Sequence, residues 1–169
     1  MTRIRAGQAG CCRSQERAAQ AVDQKIESAS RQPSASITGM DAETAARRWA
    51  ETWSHAWPQR DVEAIATLYA DTAVHYSAPF RPPGLGRAGV RRYLAGNFLA
   101  EADIECWFGP PVVSDGRAAV EWWASWTEQG QELTYAGVSV LGFDDQGQVV
   151  EHRDYDHHIE RRQRPYAGW

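Results

Sequence analysis

The segment from Glu151 to His158 holds the densest set of ionisable side chains in the chain: Glu-His-Arg-Asp-Tyr-Asp-His-His. Read as a strand, it alternates, with His152, Asp154, Asp156 and His158 on one face and Glu151, Arg153, Tyr155 and His157 on the other. Asp154 then stands between His152 and Asp156 at two-residue spacing. A carboxylate next to an imidazole in an apolar cavity can take a proton and give it back. Burial and the neighbouring Asp156 predict a raised Asp154 pKa. Asp154 is the candidate acid/base, and His152 is the group that holds it or shares its proton. The plain alternative is a structural pairing of Asp154 with a buried donor or an arginine. A metal reading meets a distance limit: residues six apart on one strand lie ~20 Å apart, so His152 and His158 cannot share an ion. His75 joins His152 and Asp154 only if their strands pair in register. Neither a metal nor a cofactor is expected.

These residues need elements to position them. Asp41 caps a helix whose Ala45, Trp49, Trp53 and Trp57 recur every four residues up to Pro58. Asp61 caps a second helix with Val62, Ile65, Ala66 and Tyr69 on one face. A short strand follows at 73–76, ending in His75 and Tyr76, and alternation puts one of these two inward without choosing between them. Residues 87–98 read as a third helix. Beyond residue 100 the period falls to two, with strands at 103–108, 117–127, 133–143 and 149–159. Gly109-Pro110-Pro111, Ser114-Asp115-Gly116, Glu128-Gln129-Gly130-Gln131 and Asp144-Asp145-Gln146-Gly147 supply the turns. Three helices followed by an antiparallel meander is an α+β design in which the helices cover one face of a curved sheet and leave a concave pocket.

The chain has 169 residues, 43% hydrophobic and 24% charged, with a formal net charge of -4. That suits one globular domain, and it lacks the basic footprint of a nucleic-acid binder. No apolar run reaches the ~18–20 residues that span a bilayer. Three cysteines, two of them adjacent at 11 and 12, do not make a disulfide framework, so a reducing, cytoplasmic setting is expected. Residues 1–39 carry six basic side chains against three acidic ones, and no Trp, Tyr or Phe. They read as a disordered extension, or as the product of a start codon placed upstream of Met40, with the folded domain at 40–169. Arg161, Arg162 and Arg164 read as a solvated terminus.

The stretches RDVEAIATLYADTAVHYSAPF, GRAGVRRYL after a Pro/Gly turn, and GFDDQGQVVEHRDYDH resemble the nuclear-transport-factor-2-like superfamily, including its SnoaL-like polyketide cyclases, over about 42–169. The resemblance implies a cone of three N-terminal helices on a curved, mostly antiparallel sheet, with His152, Asp154 and Asp156 facing its pocket beside Trp53, His75 or Tyr76, Trp122 and Ser139. Within it, a ketosteroid isomerase needs a helix Tyr, a basic Asp and a protonated Asp where this chain has Trp53, Ala78 and Ser139, so base and oxyanion hole are both missing. Limonene-epoxide-hydrolase-like members need an Arg and an Asp on a middle strand where Trp122 and Ala124 stand. SnoaL-type cyclases resemble the chain at Glu151-His152-Arg153-Asp154, which gives Asp154 the acid/base role in an aldol closure, although no second histidine lies near Ser139. The implied function is a cofactor-independent cyclase or isomerase acting on a hydrophobic, oxygenated small molecule; the alternative is a non-catalytic binder with the same pocket. Glu121, Trp123 and Ser125 alternate onto the far face, where an exposed Trp calls for cover by a second copy, as in many dimers of this fold.

Overall fold

The computed structural model describes residues 39–169, so the reading of residues 1–38 lies outside it. Helix α1 (Ala42–Gln59) starts where Asp41 Oδ1 accepts the Thr44 amide at 2.9 Å and ends one residue past Pro58, capped by Arg60 in the left-handed region. Helix α2 (Val62–Ala66) is capped by Asp61 in the same way but lasts only five residues. Tyr69, expected on its face, instead opens strand β1 (Tyr69–Tyr76), which is longer than the predicted 73–76. Strand β2 (Gly84–Leu85) and helix α3 (Gly86–Phe98) follow. Gly86, at φ +64°, lies so close to the Asp71 carbonyl that a Cβ there would sit 2.6 Å from its oxygen.

Strands β3 (Glu101–Phe108), β4 (Val112–Ser114), β5 (Arg117–Glu128), β6 (Gln131–Phe143) and β7 (Val149–Ile159) complete the chain. The order across the sheet is β2-β1-β7-β6-β5-β3, with β4 paired to β5. Two tight hairpins fall on the predicted turns. Asp115-Gly116 and Gln129-Gly130 both carry positive φ at both positions, the turn whose twist matches antiparallel strands. The pairing that no local signal announces is β1 with β7, which is parallel and sets His75 opposite His152 and Tyr76 opposite Arg153.

The fold is the expected α+β cone, an open curved sheet with helices over its concave side. The core fills that concavity with Trp49, Ile65, Tyr69, Leu94, Val120 and Leu141. The far face departs from expectation at two places. Ser125 is fully buried, because its Oγ bonds the Gln163 carbonyl at 3.1 Å and Thr134 Oγ1 at 2.8 Å. The arginine-rich terminus is not free in solvent either. Arg162 donates to the Asp103 carbonyl at 2.8 Å, and Arg164 meets Glu105 at 3.3 Å. Tyr166 then packs edge-on against Trp123, centroids 6.1 Å apart. The chain's own C-terminal segment thus covers ground that the sequence reading assigned to a partner. Among the described residues no helix is long and apolar enough to cross a membrane.

Candidate active site

The concave side of the sheet encloses a cavity of about 420 Å³. Trp49, Trp53 and Trp57 reach it from α1, and Trp122 and Trp126 from β5. The helical stripe of tryptophans is thus core and cavity wall at once. Its rings meet at 5.4–6.0 Å in tilted or edge-to-face pairs, the arrangement aromatic quadrupoles favour.

At one end of the cavity the polar groups converge. His152 is buried between β1 and β6, with its Nδ1 2.8 Å from Tyr69 Oη and its Nε2 2.7 Å from Asp154 Oδ1. Trp49 Nε1 donates to Tyr69 Oη at 3.3 Å. Ser139, in register with Asp154 across β6–β7, donates to the same Asp154 oxygen at 2.6 Å and accepts from Trp122 Nε1 at 3.0 Å. Asp154 Oδ1 is therefore saturated by two partners. Asp154 Oδ2 lies 3.6 Å from His75 Nε2, beyond hydrogen-bond distance, and that imidazole nitrogen is buried without any partner.

The electrostatics follow from this packing. Burial would raise the Asp154 pKa, but the imidazoles of His152 and His75 outweigh it and hold the carboxyl well below the usual range. This reverses the raised value expected from the sequence, where burial and Asp156 were set above the pull of His152 and nothing placed His75 at the same carboxylate. His75 is shifted down, by burial first and by His152 next. Asp156, on the cavity side, is shifted up by burial and then by the charge of Asp154.

Of the residues expected from the sequence, Trp53, Trp122, Ser139, His152, Asp154 and Asp156 all line the cavity. His75 supplies the inward choice at the end of β1. Tyr76 does not face in. It lies with Pro79, Arg153 and Tyr155 on the opposite side, as alternation from an inward His75 requires. His158 also leaves the group, stacking on Tyr135 at 4.9 Å near the C-terminal end of β7. No histidine stands beside Ser139 on β6; the second imidazole near Asp154 is His75, on β1, the other neighbour of β7. Three groups escaped the sequence reading. Tyr69 was assigned to a helix. Tyr93 of α3 packs edge-on to His75 at 4.7 Å. Glu101 is buried at the cavity wall, accepting from Trp57 Nε1 at 2.9 Å, with its carboxyl shifted up by burial. An acid at the start of a strand carries no local sign of such burial.

The SnoaL-like domain family matches residues 46–152. The chain belongs to this family. No curated protein sequence matches it. Among solved structures it is similar to SalBIII, an epoxide hydrolase/cyclase-like enzyme of pyran ring formation in the polyether salinomycin, at 20% identity and a TM-score of 0.61, covering 69% of this chain and 93% of that one. It is also similar to a protein of ketosteroid isomerase-like fold from Catenulispora acidiphila in complex with trimethylamine, at 14% identity and a TM-score of 0.55, covering 62% and 82%. At these identities the likeness is one of fold, and what the SnoaL-like cavity does depends on its own side chains.

Proposed function

We propose that this SnoaL-like protein binds a hydrophobic, oxygenated small molecule in its tryptophan-walled cavity and moves a proton on it through Asp154, as a cofactor-independent cyclase or isomerase. The observation that carries the proposal is the asymmetry of the carboxylate. Oδ1 is fixed by His152 and Ser139, while Oδ2 makes no hydrogen bond within the described residues. Two fixed donors orient Asp154 at the cavity wall and leave one oxygen to accept a proton and return it. Because its neighbours hold it ionised, it is a weak base, and it matches a C–H already acidified between two carbonyls better than an unactivated one. The carboxylate takes that proton as the enolate forms. After the enolate carbon adds to a second carbonyl, the same proton passes to the new alkoxide, so nothing is consumed. SalBIII, described as cyclase-like, is consistent with ring closure in such a cavity.

An epoxide-opening role is disfavoured because the cavity side of β5 presents Val120, Trp122, Ala124 and Trp126, and so lacks the Arg and Asp that the limonene-epoxide-hydrolase-like members carry on that strand. The non-catalytic alternative has one observation of its own: an Asp held this tightly is also what a structural ion pair looks like. Deuterium exchange into aryl 1,3-diketones, followed by NMR, separates the two. Wild type is expected to bind the diketone by quenching of tryptophan fluorescence and to accelerate exchange over buffer. Asp154→Asn is expected to bind it and lose the acceleration, by about the 100-fold or more attributed to a positioned acid/base. Binding by both proteins with acceleration by neither establishes the binding module instead, and acceleration that survives in Asp154→Asn overturns the assigned base.

A further inference from the structure

His75 and His152 are 77 residues apart in the chain and side by side in the sheet, because β1 and β7 pair in parallel with these two positions in register. Asp154 follows two residues on, on the same face. Each of the three offers one ligand atom, and these atoms all lie within 4.8 Å of one another. Among the described residues no other group of His, Cys, Asp and Glu converges in this way. The condition that the sequence left open for a metal, correct register of the His75 strand, is the register the fold adopts.

We infer that His75, His152 and Asp154 form a binding site for one divalent transition-metal ion of the zinc type, with a coordination position open toward the aromatic cavity. Four observations support it. Ligands held at ~2.0–2.2 Å in tetrahedral geometry stand about 3.3 Å from one another; here one ligand atom from each residue lies within 4.8 Å of the others, with the Asp154 carboxylate between the two imidazoles, Oδ2 3.6 Å from His75 Nε2 and Oδ1 2.7 Å from His152 Nε2, a set that side-chain rotation can close around one ion. His75 is 2% exposed and its Nε2 has no hydrogen-bond partner, a rare state for a buried polar atom and one that an ion relieves. Supporting groups are already in place: Tyr69 Oη lies at His152 Nδ1, the ring nitrogen away from the site, and Ser139 bonds the carboxylate. Two imidazoles and one carboxylate suit zinc or cobalt rather than magnesium or calcium, which prefer oxygen-only shells. His152 and Asp154 also line the cavity, so a fourth ligand would come from that side, as in zinc sites with three protein ligands and one open position.

The inference is separate from the proton-transfer reading and does not rest on it: an ion on Asp154 occupies the carboxylate which that reading uses as a free base, so the deuterium-exchange test belongs to the metal-free protein, and the ion is tested by equilibrium binding without a substrate. The full chain, stripped with chelator and dialysed, is titrated with Zn²⁺ in a calorimeter, with Mg²⁺ as the comparison, and with Co²⁺ followed by visible absorption. One Zn²⁺ per chain is expected, with a cobalt spectrum of low coordination number and no comparable response to Mg²⁺. His75→Gln and Asp154→Asn are each expected to weaken binding by more than the about 10–100-fold that loss of a supporting partner costs. Because Cys11, Cys12 and Cys106 also attract zinc, histidine ring signals in the wild-type NMR spectrum give a readout that needs no variant to fold. Zn²⁺ is expected to shift His75 and His152 and to leave His55, His157 and His158 in place. Absence of zinc binding overturns the site, and so does binding that both variants retain or that leaves the His75 and His152 signals unmoved.

Discussion

Glu101 shows how one side chain's chemistry depends on what folds over it. Its Oε2 accepts from Trp57 Nε1, the Arg60 guanidinium reaches its backbone carbonyl, and Glu128 faces it in register across β3–β5. Burial, the largest influence, pushes its carboxyl up, so the charged form is disfavoured in the folded state relative to the unfolded chain. The sign follows: below the ordinary value of 4.5 the group is neutral in both states and costs nothing, and as pH rises from there through the raised folded value, stability falls. Glu101→Gln keeps an acceptor for Trp57 and removes the charge. It is expected to raise Tm at pH 7 and leave it unchanged at pH 4. Equal effects at both pH values would mean that shape or hydrogen bonding, rather than charge burial, separates the two side chains. Asp154 is the opposite case, a buried acid whose imidazole partners more than offset the same desolvation.

At the scale of the element, the turn chemistry and the strand periods were legible in the sequence, and the strand faces with them. Asp115-Gly116 and Gln129-Gly130 form hairpins where they stand, because strand twist requires positive φ at both central positions; Asp and Gly accept it readily, and at Gln129 the tight β5–β6 pairing imposes it. Helix α2 stops at Ala66 although Tyr69 satisfies helical spacing from Val62 and Ile65, because the Tyr69 backbone is needed by the sheet, where it pairs in register with Val149. Glycine in β6 separates close approach from tolerance. A Cβ on Gly137 would meet the Tyr155 carbonyl at 2.5 Å and Asp156 Cβ at 2.8 Å, whereas on Gly142 its nearest contact is Glu151 Cβ at 3.6 Å. Gly137→Ala is expected to cost about 1–3 kcal/mol as an overpacked site, read from the denaturant midpoint at constant m. Gly142→Ala is expected to be near neutral or stabilising. Equal midpoints for the two variants would show that β7 yields at Asp156.

At the scale of the whole molecule, the C-terminal segment ties the far face together. Its backbone bonds run from Thr134 Oγ1 to the Arg161 carbonyl at 2.7 Å, from the Gln163 amide to Thr134 Oγ1 at 2.9 Å, and from Ser125 Oγ to the Gln163 carbonyl. Removing residues 161–169 leaves the buried hydroxyls of Ser125 and Thr134 without these partners and uncovers the ring of Trp123. A loss of about 2–4 kcal/mol is expected, from buried groups that lose hydrogen bonds plus lost apolar cover. Chemical denaturation measures it, and a truncated chain as stable as full length would show that the segment merely rests on the sheet.

The sequence by itself determined which residues alternate to the same side of each strand, where the helices are capped, where the hairpins turn, and that Asp154, His152 and Asp156 share a face. Those are consequences of local geometry, periods of two and 3.6 residues and the conformational preferences of Asp and Gly. Only the tertiary structure decided what each of these faces meets. Parallel pairing of β1 with β7 brought His75 against His152 and Asp154, turned Tyr76 away and reversed the direction of the Asp154 shift. The path of the last nine residues decided that Ser125 is covered by its own chain. Contacts between segments far apart in sequence depend on the total packing of helices, sheet and tail, and no local pattern encodes them.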